Sequence, residues 1–213
     1  MKSGLTDITI ILDRSGSMQS IASDTIGGVN KFLADQRALP GELNVTLVQF
    51  DDQDPFEVIC KSTPVAQVKD LDKTTFTPRG STPLLDAIGH GINETGTRLS
   101  ALPEADRPEH VIFVIMTDGH ENASRKFDKN EVMQAITHQR DTYKWQFVFL
   151  GANQDAIATA ASIGIGANAA LTYAANAKGT RATYSSLSSN VQNMRIGGQC
   201  VFSSDDRQSA TGN

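Results

Sequence analysis

Two stretches of this chain have no polar side. Ile8 to Leu12 and Val111 to Met116 are unbroken runs of β-branched and apolar residues. A strand of that kind can turn neither face to water, so it must lie inside a sheet that is covered on both sides. Helices supply such a cover, and the sequence between the runs carries their signature. Ile21 to Leu39 places Ile21, Ile26, Val29, Phe32 and Leu33 at helical spacing and closes at Pro40-Gly41. Leu43 to Phe50 reads as a second strand. After the polar turn Asp51-Asp52-Gln53-Asp54-Pro55, Phe56–Cys60 reads as its antiparallel hairpin partner.

Residues 61–80 show no clear period. A helix is expected to begin after them, with Ser81 or Thr82 near its N-cap and Pro83 in its first turn, running through Leu84, Leu85, Ile88, Ile92 and Leu99. Beyond the Val111–Met116 strand come a helix over about Asp128–Arg140 and a strand at Gln146–Leu150. The composition then shifts: residues 151–213 hold 7 of the 43 charged residues, and 151–180 hold 11 alanines. The alternation nevertheless continues with a helix at Ala156–Ile163, a strand at Ala170–Tyr173 and a helix at Thr183–Met194. Ser203–Asn213 is polar without an apolar period, which predicts disorder from about Gly197. The series predicts one α/β domain over residues 5–195 and a flexible tail over 196–213. Its sheet is Rossmann-like and doubly wound: mostly parallel, six-stranded, with one antiparallel edge strand and helices on both faces. In such sheets ligands bind outside the carboxyl ends of the strands.

Composition narrows the function classes. A chain of 213 residues buries enough surface to fold without disulfides. A net charge of −5 disfavours a nucleic-acid partner, which calls for a basic face. No apolar run reaches the ~18 residues of a membrane helix, and Met1-Lys2-Ser3-Gly4 opens no secretory leader. Cys60 and Cys200 show neither zinc nor redox spacing. Expected, therefore, are a cytoplasmic location, reduced thiols and no contact with membrane or nucleic acid.

The polar oddities cluster where strands should end. Asp13, Ser15 and Ser17 follow the first buried strand with spacing D-x-S-x-S around Gly16. Thr82 opens the helix after the 77–81 loop, and Asp118 follows the strongest strand. Parallel strands bring these three loops to one edge, so five oxygen-bearing side chains converge. An oxygen-only set suits a hard dication such as Mg²⁺, Mn²⁺ or Ca²⁺.

Asp13-Arg14-Ser15-Gly16-Ser17, Gly80-Ser81-Thr82-Pro83-Leu84 and Thr117-Asp118-Gly119, in that order, resemble the D-x-S-G-S, G-x-T-P-L and T-D-G segments of the metal-ion-dependent adhesion site in von Willebrand factor A-type domains. The chain is similar to the standalone cytoplasmic members found in bacteria and phages. The resemblance implies that Ser15, Ser17 and Thr82 ligate the metal directly, while Asp13 and Asp118 act through coordinated waters or hydrogen bonds to the hydroxyls. It also implies a non-enzymatic role in which the metal binds an Asp or Glu of a partner protein. Relatives of this kind work beside AAA-type ATPases or kinase and phosphatase systems.

The alternative is a metal-dependent phosphoryl hydrolase with Asp13 as nucleophile. It is disfavoured because the second Asp such enzymes use two positions later for proton transfer is here Ser15. Gly164-Ile165-Gly166 falls one glycine short of a dinucleotide fingerprint and follows a helix. His120 and Glu121 read as a solvated pair on the rim of the site. Asp51, Asp52 and Asp54 read as a solvated turn, with a second cation site as the alternative.

Overall fold

A computed structural model describes residues 1–152 and 155–212. It contains six strands: β1 (Lys2–Asp13), β2 (Glu42–Phe50), β3 (Glu57–Pro64), β4 (Pro108–Thr117), β5 (Gln146–Ala152) and β6 (Ala170–Tyr173). Its helices are α1 (Ala22–Arg37), α2 (Leu84–Ser100), α3 (Lys129–Tyr143), α4 (Ala156–Ser162), α5 (Ala177–Met194) and α6 (Ser204–Thr211). The strands form one sheet in the order β3-β2-β1-β4-β5-β6. All neighbours pair in parallel except β2 and β3, the hairpin at one edge.

The unbroken apolar runs occupy the centre of that sheet, as their composition demands. Alternate side chains of β1 enter different cores. Ile8, Ile10 and Leu12 pack with Val29, Phe32 and Leu33 of α1 and with Leu187, Val191 and Met194 of α5. Ile11 joins Ile88 and Ile92 of α2, Val132 and Ile136 of α3, and Ala156 and Ala160 of α4 on the other face. Each fully buried aliphatic side chain of this size contributes roughly 1.5–3 kcal/mol over exposure. Both faces therefore favour a central position for β1. Among the described residues, no helix is long and apolar enough to cross a membrane.

Winding reverses between β1 and β4. The chain leaves β1 toward β2 on the α1 face, then returns through α2 to β4 and onward to β6 on the opposite face. The carboxyl ends of β1 and β4 lie side by side, with Leu12 registered against Met116. The next residues on each strand, Asp13 and Thr117, thus meet at the crevice.

The flexible tail expected from residue 196 is not what forms. Ser204–Thr211 is a helix whose start carries a reciprocal capping box between Ser203 and Asp206. This helix covers the open edge of β6: the Arg207 guanidinium donates to the carbonyls of Ala170 (2.8 Å) and Ala167 (2.7 Å), and the Ala174 amide donates to the Ala210 carbonyl at 3.0 Å. Ala210 is fully buried. A polar helix needs only one buried position when its role is to satisfy edge backbone, so an apolar period never appears in its sequence. Asn213 of the same tail lies outside the described residues.

Candidate metal centre

The turn after β1 is shaped by its first acid. Asp13 is completely buried, and its Oδ1 accepts the Ser15 amide at 2.7 Å while its Oδ2 accepts the Thr117 hydroxyl at 2.5 Å. These bonds tie the end of β1 to the end of β4 and reverse the chain, so that residues 16–21 form a short 3-10 turn ahead of α1. Ser15 and Ser17 then present their hydroxyls side by side, 3.1 Å apart, and Ser17 Oγ donates to Asp118 Oδ1 at 2.5 Å.

Thr82 arrives from another direction. The Ser81 or Thr82 cap expected for α2 is replaced: Pro83 holds the N-cap position, and no side chain of its own caps the helix. The orphan amides are satisfied from the loop after β4. Glu121 Oε2 accepts the Leu85 amide at 2.9 Å and Ser124 Oγ accepts the Asp86 amide at 3.0 Å. Asn122 clamps the Thr82 backbone from both sides, its Oδ1 accepting the Thr82 amide at 2.9 Å and its amide donating to the Thr82 carbonyl at 3.2 Å. A helix capped from elsewhere leaves the Thr82 hydroxyl uncommitted to capping.

Gly119 shows how closely the three loops meet. A Cβ at that position would lie 2.9 Å from Thr82 Oγ1 and 3.4 Å from Ser17 Oγ. One point therefore sits within reach of hydroxyls from two loops and beside the Asp118 backbone. All five residues singled out in the sequence, Asp13, Ser15, Ser17, Thr82 and Asp118, are brought to this crevice. Asp13, Ser15 and Thr82 are buried, Asp118 is half-buried and Ser17 is exposed.

The electrostatics of the crevice favour a cation. Burial pushes the Asp13 carboxyl up to about 6, against the opposing hydrogen bonds from Thr117 and Ser15, and the charge of Asp118 pushes it further. Burial likewise raises Asp118, opposed by the Ser17 hydroxyl. Two carboxylates that resist ionisation share the crevice, and among the described residues neither is joined to a basic side chain in an ion pair. No group of three or more His, Cys, Asp or Glu among the described residues has metal-binding placement, so hydroxyls dominate the donor set. That set fits a hard, oxygen-seeking dication.

Three roles were not legible in the motifs. Thr117 orients Asp13. Glu121 is no solvated rim residue, because its two oxygens cap α2 and accept the amides of Ala123 and Ser124. Asp51 belongs neither to a solvated turn nor to a second cation site: it is fully buried and ion-paired with Arg14 and Arg79. A carboxylate one residue past a strand gives no sequence sign of whether it faces solvent or an arginine that lies 37 positions away.

Among solved structures, the fold is similar to proximal thread matrix protein 1 from the mussel byssus, with a TM-score of 0.59 and 18% identity over 88% of this chain and 46% of that chain. It is also similar to a von Willebrand factor type A protein from Catenulispora acidiphila, with a TM-score of 0.54 and 15% identity over 88% of this chain and 42% of that one. The pilus adhesin SpaC from Lactobacillus rhamnosus GG gives a TM-score of 0.62 at 13% identity over 91% of this chain and 30% of that one. The chain spans less than half the length of each, and at these identities the likeness shows the fold alone. Another structure of the mussel protein, similar with a TM-score of 0.53 at 16% identity over 79% of this chain and 41% of that one, has zinc in its adhesion-site motif. No curated protein matches the sequence. The family model for the von Willebrand factor type A domain matches residues 7–196, and with the sheet, the switch point and the converging hydroxyl loops already in place, the chain belongs to the von Willebrand factor type A domain family.

Proposed function

We propose that this domain binds a partner protein through a divalent cation held by Ser15, Ser17 and Thr82, with Asp13 and Asp118 behind them. The observation that carries this reading is the meeting of hydroxyls from two loops at one point beside two carboxylates that have no basic counter-ion among the described residues. When bound, the cation supplies an electrophilic coordination position suited to a carboxylate oxygen. Mg²⁺ is the proposed resident ion, with Mn²⁺ or Ca²⁺ as substitutes. The zinc-loaded mussel relative supports a dication at this place in the fold.

The chain's own groups do the rest. Asp13 and Asp118 fix the hydroxyls and together match the cation's two positive charges, so an incoming Asp or Glu meets no net repulsion. Thr117 and the Ser15 amide occupy both oxygens of Asp13. A display library of random peptides, panned on the intact chain in Mg²⁺, tests the proposal. Peptides that carry Asp or Glu should be enriched and released by EDTA; enrichment indifferent to both EDTA and acidic residues would contradict it.

A further inference from the structure

The two loops that carry the hydroxyls share a buried ion cluster that cation binding does not itself explain. Arg14 lies between Asp13 and Ser15 and is directed away from the crevice, under it. Its Nε and Nη2 reach Asp51 Oδ2 at 2.8 and 2.7 Å, its Nη1 donates to Gln49 Oε1 at 3.2 Å, and it pairs with Glu57. The same Asp51 Oδ2 accepts Arg79 Nε at 3.0 Å. Asp51 Oδ1 accepts the amides of Gln53 (2.7 Å) and Asp54 (2.9 Å), which fixes the carboxylate in place.

Arg79 stands three residues before Thr82, as Arg14 stands one before Ser15. Two backbone bonds complete the crossing: the Arg79 amide donates to the Arg14 carbonyl at 2.9 Å, and the Gly16 amide to the Gly80 carbonyl at 3.0 Å. Gly80 makes that approach with φ +66°, and a Cβ there would collide with the Asp52 carboxylate. Burial opposes the Asp51 anion, yet the two amides and both guanidinium groups hold its carboxyl below the usual range.

A buried ion pair is seldom a net source of stability over well-packed apolar residues of the same size. What it does supply is geometry, since a planar guanidinium fixes distance and angle in a way a lysine does not. We infer that Asp51, acting through Arg14 and Arg79, is the positioning residue that sets the spacing between the Ser15–Ser17 turn and Thr82. The inference rests on the cation reading of the site. Its consequence is selectivity: Mg²⁺ demands near-octahedral ligands at about 2.0–2.1 Å, whereas Ca²⁺ accepts flexible shells at about 2.3–2.6 Å. Loosening the bridge therefore weakens Mg²⁺ far more than Ca²⁺.

Calorimetric titration of the intact chain with MgCl₂ and CaCl₂ tests this in wild type, Arg79→Ala, Arg79→Lys, Asp51→Asn and Glu57→Gln. Arg79 is the half-exposed arm, so its variants remain informative even where Asp51→Asn fails to fold. Removing a group that orients metal ligands costs about 10–100-fold in affinity, and Arg79→Ala should show a loss of that size for Mg²⁺ with little change for Ca²⁺. Lysine at 79 should not restore the ratio, and Glu57→Gln, whose carboxylate pairs with Arg14 and leaves the Asp51–Arg79 arm in place, should change it less than Arg79→Ala does. Thermal unfolding in EDTA should change little for Arg79→Ala, separating loop spacing from stability. A wild type that binds both ions, with Arg79→Ala keeping its Mg²⁺-to-Ca²⁺ ratio, would overturn the positioning role alone. A wild type that binds neither ion would overturn the cation reading and this inference with it.

Discussion

Asp13 is a carboxylate that the fold buries at a cost, and that cost has a measurable pH signature. Its folded-state value of about 6 lies above the ordinary 3.8, so the folded state holds a proton that the unfolded chain has released between those values. Stability supplied by the protonated acid is complete below about pH 4 and is lost as pH rises through 6. At neutral pH the metal-free protein should carry a penalty on the order of 3 kcal/mol. Urea denaturation in EDTA should therefore show Asp13→Asn gaining on wild type between pH 4 and 7; a gap independent of pH would contradict the assignment. Gly119→Ala tests the crevice from the other loop. Its methyl would sit 2.9 Å from Thr82 Oγ1, so calorimetry should show weakened Mn²⁺ binding, with a smaller effect on the melting temperature. At this scale the sequence was most legible where one short segment supplies several donors, as in Asp13, Ser15 and Ser17. It was least legible where a partner comes from a distant loop, as with Thr117 for Asp13 and Arg14 for Asp51.

Elements show the same division. Central strands with no polar side and helices with a strong apolar stripe declared themselves, because burial on a defined face writes a period into the residues. The first turn of α2 did not, since its caps are Glu121 and Ser124 from the loop after β4. Replacing such a cap costs about 1–2 kcal/mol, so Glu121→Ala should lower the unfolding free energy by that amount in a denaturant series. It should also loosen Thr82, whose backbone is clamped by Asn122 of the same loop. An unchanged midpoint would mean that α2 does not depend on this cap. The helix α6 went unread for another reason: its caps, Ser203 and Asp206, are its own, but its single buried Ala210 writes no apolar period. Deleting residues 203–213 should uncover the β6 edge and shift the chain toward larger species in size-exclusion chromatography. An unaltered elution position would show that the edge needs no cover.

For the whole molecule, the reversal of winding between β1 and β4 does most to produce a site. It sets two strand ends in register, brings the α2 loop over them, and gathers side chains far apart in the chain at one opening. Anything bound there holds both halves of the sheet together, so cation binding should also stabilise the fold. At a free concentration 100 times Kd, the expected gain is about 2.7 kcal/mol, which EDTA should reverse in a thermal melt. The net charge of −5 takes on a location in this light: part of the acidity belongs to Asp13 and Asp118 in the crevice. The decisive measurement is an isothermal titration of the intact chain with Mn²⁺, wild type beside Thr82→Ala. Wild type should bind one ion per chain and Thr82→Ala should lose that binding while melting as a folded protein in EDTA. Equal binding by the two proteins, or none by wild type, would contradict a cation centre built on these hydroxyls.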